Sequence, residues 1–267
     1  MSRDKIGAIQ PVETWPNEAG EIRAATTTGT GTALTTTPVF IQLPNDTKRV
    51  KLVPRNFSTA VAVQVMLNPY VSVLKTVDDS VSFTDYSKDA QDAATATLVT
   101  LSSLSTAANG DYLYVGAHVP FRGLNATVVD ANGVASVMTA VYSQIGDVWT
   151  ALTITDGTAS GGATVAVTGN ITWTVPTDWV KKLVGGREMY WVRFQVSVAL
   201  DSSTTLSSLL AMNQSTAPWD IISGEKEEFK LHKGPGGVGC IEARTDAGTA
   251  NLIVNIATGP WNGFYNA

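Results

Sequence analysis

The chain is poor in the groups that usually carry chemistry. It has one cysteine in 267 residues, which excludes a disulfide framework within a single chain. Its two histidines, His118 and His232, are far apart in sequence, and no spacing between them and Cys240 resembles a zinc or iron site. Charged residues are scarce at 15%, against about 25% in ordinary domains. With 18 Lys and Arg against 23 Asp and Glu, the balance is mildly acidic. Nucleic-acid binding needs clustered cations and is not expected. No apolar run approaches about 18 residues, so no membrane-spanning helix is expected. The charged start Met1-Ser2-Arg3-Asp4-Lys5 leads into no apolar stretch of the kind a secretory signal needs.

What the chain does have is β-branched. It holds 34 Thr, 30 Val and 12 Ile, side chains that are stiff at χ1 and fit a pleated surface better than a helix. Residues 1–37 are broken by Pro11, Pro16, Gly20, Gly29 and Gly31 and contain the low-complexity run Thr26 to Thr32. Such a segment cannot bury enough apolar surface alone, and it reads as an extended arm held by a neighbouring chain. From residue 38, short alternating runs bounded by Pro, Asn and Asp mark antiparallel strands up to residue 76. Residues 77–92 are rich in charge and read as a linker.

Residues 93–213 form the most regular stretch. Seven candidate strands lie at 97–104, 112–115, 124–129, 135–142, 148–155, 170–175 and 189–199, separated by turn pairs such as Asn132-Gly133 and Gly185-Gly186. This spacing predicts a β-sandwich or jelly roll. Pro176-Thr177-Asp178-Trp179 is placed to open one helical turn, and the Ser/Thr-rich residues 201–208 read as a loop. Residues 214–267 hold further strands at 227–232, 238–244 and 252–257, then an aromatic tail. The expected fold is all-β: antiparallel sandwich modules, an N-terminal arm and a C-terminal tail, with the strands of 38–92 pairing with those of 214–267.

The chemical motifs are few. Gly234-Pro235-Gly236-Gly237-Val238-Gly239 matches a dinucleotide fingerprint in letters, but a strand-like run follows it where the phosphate site needs a helix N-terminus. A hairpin turn explains it better. No G-x-S-x-G is present, and neither histidine lies in a nucleophile motif. Asp78, Asp79, Asp85, Asp89 and Asp92 make the most acidic loop, a solvated face by default. Asn56, Asn125, Asn170 and Asn213 begin N-x-[ST] triplets, which chance supplies in a Ser/Thr-rich chain. Trp149, Trp173, Trp179 and Trp191 are expected in the core, while Trp15 and Trp219 lie outside regular strands. Trp261, Phe264 and Tyr265 form a terminal aromatic cluster. Trp15, Trp261, Phe264 and Tyr265 are the expected partner-binding residues. No catalytic residue, metal or cofactor is expected.

Several central segments together carry a resemblance. They are Asp111-Tyr112-Leu113-Tyr114-Val115-Gly116, Pro120-Phe121-Arg122-Gly123, Trp149-Thr150-Ala151-Leu152 and Thr155-Asp156-Gly157-Thr158. Further along come Ile171-Thr172-Trp173-Thr174-Val175-Pro176, Asp178-Trp179 and Tyr190-Trp191-Val192-Arg193-Phe194. In this order they resemble a β-sandwich module of virion structural proteins in tailed bacteriophages, found on capsid decoration and tail or baseplate components. The resemblance spans about residues 97–200. It implies a structural, non-enzymatic role and assembly with copies of the same chain. The expected function is a capsid cement or decoration protein, a homotrimer on the capsid surface that binds the major capsid protein after synthesis in the host cytoplasm. Two alternatives stand beside it: a tail, baseplate or fibre component, and a carbohydrate-binding module or polysaccharide hydrolase.

Overall fold

Threonine- and valine-rich runs, punctuated by Gly, Asn and Asp, fold here into strands and almost nothing else. The structure, a computed structural model, describes residues 22–24, 31–43, 47–59, 62–76, 82–91, 96–102, 104–105, 110–231 and 237–257. In chain order the first strands are β1 (Ile22–Ala24), β2 (Thr32–Leu34), β3 (Val39–Gln42), β4 (Arg49–Arg55), β5 (Ala62–Pro69), β6 (Ser72–Lys75) and β7 (Thr84–Asp85). Then follow β8 (Val99–Thr100), β9 (Leu113–Ala117), β10 (Phe121–Asp130), β11 (Met138–Gln144), β12 (Val148–Leu152), β13 (Thr155–Asp156) and β14 (Gly169–Thr172). The last are β15 (Lys181–Val184), β16 (Arg187–Val196), β17 (Thr205–Asn213), β18 (Trp219–Ile222), β19 (Glu227–Lys230), β20 (Val238–Thr245) and β21 (Ala250–Ala257). The protein is all-β, as its composition requires.

The chain divides into two compact units, one made of residues 66–218 and 234–242, the other of 1–65, 219–233 and 243–267. The larger unit is a two-sheet sandwich. One sheet runs β12-β11-β16-β9-β6-β7, with β15 also on β16, and the other runs β13-β14-β10-β17-β8. Strand alternation sends Val115, Ala117, Met138, Ala140, Val192, Phe194 and Val196 inward from the first sheet. Phe121, Leu124, Ala126, Ile171, Leu206, Leu209 and Ala211 meet them in the same core. An aromatic group closes one part of it. Phe121 packs on Trp173 at 5.3 Å and on Trp179 at 5.2 Å, and Trp173 on Phe194 at 6.1 Å. Each indole nitrogen finds a buried acceptor: Trp173 Nε1 donates to Phe121 O at 2.8 Å, and Trp179 Nε1 to Trp191 O at 3.2 Å. A buried N–H left unpaired would cost about 1–3 kcal/mol.

The smaller unit contains the sheet β1-β21-β4-β19, with β2 also on β21. Leu34, Val50, Leu52, Leu252, Val254 and Ile256 are buried in it. Strands of 38–92 therefore pair with strands of 214–267: β4 lies between β21 and β19, and β18 pairs with β5. Of the expected arm, residues 22–24 and 31–37 are described. Ile22–Ala24 and Thr32–Leu34 both pair with β21, and Leu34 is fully buried. The end of that segment is thus sheet, because Leu34 supplies core and β21 supplies backbone partners.

Several local expectations differ from the structure; Trp219, expected outside regular strands, opens β18 opposite Val65. Residues 201–208 hold the start of β17, whose positions from Leu206 to Met212 are all buried. Ser207 and Ser208 are tolerated inside because hydroxyls find partners; Ser208 Oγ donates to Thr127 Oγ1 at 2.9 Å. The expected linker 77–92 contains β7 and a single 3-10 turn at Asp89–Gln91, where Ala90 and Gln91 are buried. Gln91 Nε2 donates to Leu209 O at 2.8 Å. Residues 177–178 form a plain turn, and Val175 and Trp179 pack on the sandwich core beside it.

Candidate interaction face

Alternation on the seven-stranded sheet leaves a second set of residues pointing away from the sandwich core. From β9 these are Tyr112 (just before the strand), Tyr114 and Gly116; from β16 they are Met189, Trp191 and Arg193. They do not face water directly. Leu74, Tyr114, Val184, Met189 and Trp191 form their own small buried cluster, with Tyr112 and Trp149 packed on it. Tyr114 is the hub, edge-on to Phe83 at 5.9 Å, Tyr112 at 5.9 Å, Trp149 at 5.7 Å and Trp191 at 6.4 Å. Such pairs add about 0.5–1.5 kcal/mol each beyond area burial.

Two features let this layer form. The β15–β16 hairpin turns on Gly185 and Gly186, both at positive φ, the backbone that a two-residue hairpin demands. It folds back so that Trp191 Nε1 donates to Lys182 O at 2.9 Å. Gly116 then leaves room for the indole: a Cβ there would stand 2.4 Å from Trp191 Cε3.

Cations finish the face. The Arg193 guanidinium lies 4.2 Å from the centre of the Tyr112 ring and 4.8 Å from that of Trp149, and Lys182 Nζ lies 5.2 Å from the latter. Each contact contributes about 0.5–1 kcal/mol at a partly exposed site. Lys182 pairs with Asp147, and Arg187 with Asp85, so both charges are engaged within the chain. Exposed apolar groups around this sheet include Phe83, Ile145, Val148 and Leu183; Ile145 is 76% and Leu183 68% exposed. Burying one such side chain is worth about 1.5–3 kcal/mol. The arrangement suits contact with another protein surface better than capture of a small molecule.

No family model, curated protein or solved structure matches this chain.

The residues singled out in the sequence fall as follows. Trp15, Trp261, Phe264, Tyr265 and His232 lie outside the described residues. Trp173, Trp179 and Trp191 are buried, Trp149 is half-buried, and Trp219 is 56% exposed. Gly237 leads directly into strand β20, so the glycine run is followed by a strand. Of the acidic loop, Asp85 and Asp89 are described. Asp85 accepts from Ser87 N at 2.9 Å and is clipped by Arg187, whose Nη1 also donates to Ser87 Oγ at 2.8 Å. Burial alone would raise the Asp85 pKa, but hydrogen bonds from Arg187 and Ser87 and the Arg187 charge hold it below the usual carboxylate value.

Arg122, the sole cation between residues 94 and 180 of the sequence, is committed to structure. Its Nη2 donates to both carboxylate oxygens of buried Glu242, at 3.1 and 2.9 Å. Cys240 is fully buried, with Asn68 Nδ2 3.6 Å from its sulfur. Burial pushes its thiol pKa up to about 12, against the smaller lowering by Asn68. Such a thiol stays protonated in the packed interior. Among the described residues, no group of three or more His, Cys, Asp or Glu is placed to hold a metal ion. The aromatic–cation face is what sequence reasoning missed. Its signal was present: Tyr112 to Val115 and Trp191 to Phe194 are bulky on both alternations, the mark of a strand covered on both sides.

Proposed function

We propose that this chain is a structural protein of a tailed-bacteriophage particle, a capsid cement or decoration protein acting without catalysis or a cofactor. In this reading copies of the chain associate as a homotrimer on the capsid surface and bind the major capsid protein. The observation that carries it is where the resembling segments lie. Phe121, Trp173, Trp179 and Phe194 come from four of them and meet in one aromatic core. Tyr112, Tyr114, Trp149 and Trp191 meet in the layer on the other side of the same sheet. In this chain the resembling segments therefore belong to one packed framework. Low charge and exposed apolar groups such as Ile145 and Leu183 support a surface meant for protein contacts. Many copies on a repeating shell would add weak contacts through multivalency.

The test uses a truncation that spares every described strand. A chain lacking residues 1–20 keeps β1 and β2, and with them buried Leu34. Its thermal unfolding should match that of the full chain, while its occupancy on particles should be lost. Full occupancy with residues 1–20 removed contradicts the arm-mediated cement reading.

A further inference from the structure

Among the described residues the sandwich has one long, uncharged edge. β12 ends the seven-stranded sheet and pairs through β11 alone, from Ala140↔Leu152 to Gln144↔Val148. Its other side presents backbone N–H and C=O groups with no partner strand among the described residues. Of the other strands paired on one side, β7, β8 and β13 are two residues long each, and four-residue β15, paired with β16, carries Lys181 and Lys182; shortness and charge guard those edges. β12 has five residues, and the run Val148-Trp149-Thr150-Ala151-Leu152-Thr153-Ile154-Thr155 contains no charge, proline or glycine. Natural edge strands are protected by just those devices, because an open, uncharged, β-prone edge recruits another strand.

We infer that β12 is a strand-pairing site for β12 of a second copy of this chain, joined antiparallel about a two-fold axis at Thr150. The sequence is self-complementary in that register. Thr150 meets Thr150 of the second copy, Val148 falls opposite Leu152, and on the outer face bulky Trp149 falls opposite small Ala151. Thr–Thr and large–small cross-strand pairs are favourable, and like charges directly opposite are not. The nearest charge, Asp147, would lie opposite Thr153 of the second copy, so no like charges meet. Val148 and Ile145, 48% and 76% exposed, sit at the end of the strand and would be covered together with its backbone. A two-fold contact of this type is isologous and separate from the trimer contact proposed above, so it stands or falls without the virion reading.

The experiment is sedimentation and light scattering on the purified full chain over a wide concentration range, with no particles present. The expected result is mass doubling that Ala151→Lys abolishes without changing the circular dichroism. Mixing Ala151→Lys with Ala151→Glu chains should restore it, a readout that misfolding cannot mimic. Under oxidation Thr150→Cys should give a covalent dimer that reductant reverses. A mass that never doubles, whether of the single chain or of a trimer, overturns the proposal, as does a doubling that Ala151→Lys leaves intact. Association lost in Ala151→Lys with no covalent Thr150→Cys dimer overturns the two-fold register.

Discussion

Gly116 lies directly beneath the indole of Trp191, so close that a Cβ on it would meet the ring carbons Cε3, Cδ2 and Cζ3 at 2.4 to 2.7 Å. The ring can retreat only at the expense of its contacts, because its Nε1 is tied to Lys182 O and Tyr114 packs against its edge. Gly116→Ala should therefore force either the indole or strand β9 to shift. The expected cost is about 1–3 kcal/mol, the usual range for overpacking, or several degrees in melting temperature for a chain of this length. Calorimetry on the two proteins reads it directly.

The Arg122–Glu242 pair gives a second prediction. The Glu242 side chain is 6% exposed and that of Arg122 21%. Arg122→Ala leaves a buried carboxylate without the guanidinium nitrogen that both its oxygens accept from, and about 3–5 kcal/mol should be lost. Replacing both residues, Arg122→Met with Glu242→Leu, should cost much less than the single change, since no buried charge remains. Denaturant midpoints for Arg122→Met, Glu242→Leu and the double give the coupling. Additive costs would show that the pair does not act as a unit.

Asp85 gives the pH dependence. Its folded-state pKa is depressed, because the Arg187 and Ser87 contacts outweigh burial. A depressed carboxylate contributes stability that is present above its unfolded value, about 3.9, and lost as pH falls through the folded value. The stability gap between the wild type and Asp85→Asn should be present at neutral pH and close in the acid range below about pH 4. A gap that persists unchanged there would show that the contribution of Asp85 is not its charge.

Cys240, with its pKa pushed up to about 12 and no exposed surface, should be silent to thiol reagents in the native protein. It should react fully once the chain is unfolded. Rapid labelling under native conditions would place the thiol outside the packed interior.

How much of this was written in the sequence depends on which residues carried the signal. The all-β class followed from Thr, Val and Ile, and strands such as β10 and β16 lie where alternation put them. β17 was hidden because Ser207 and Ser208 look like loop residues, and only the tertiary structure supplies the partners that let them be buried. β7 was hidden because Asp85 looks like solvent-facing charge, whereas Arg187, far away in sequence, neutralises it. The aromatic–cation face depends on the β15–β16 hairpin folding over β9, a relationship between segments that no local pattern encodes. Gly116 is a turn residue by habit and a packing necessity in fact.

The central claim is that the chain is a capsid cement protein, and its most direct measurement is where the protein sits on a particle. Gold-labelled antibody raised against the purified chain should decorate the heads of intact virions, evenly over the shell. Label confined to the tail, baseplate or fibres would move the protein to the other virion class. Unlabelled particles, from an antibody that recognises the chain in the infected-cell lysate, would contradict the account.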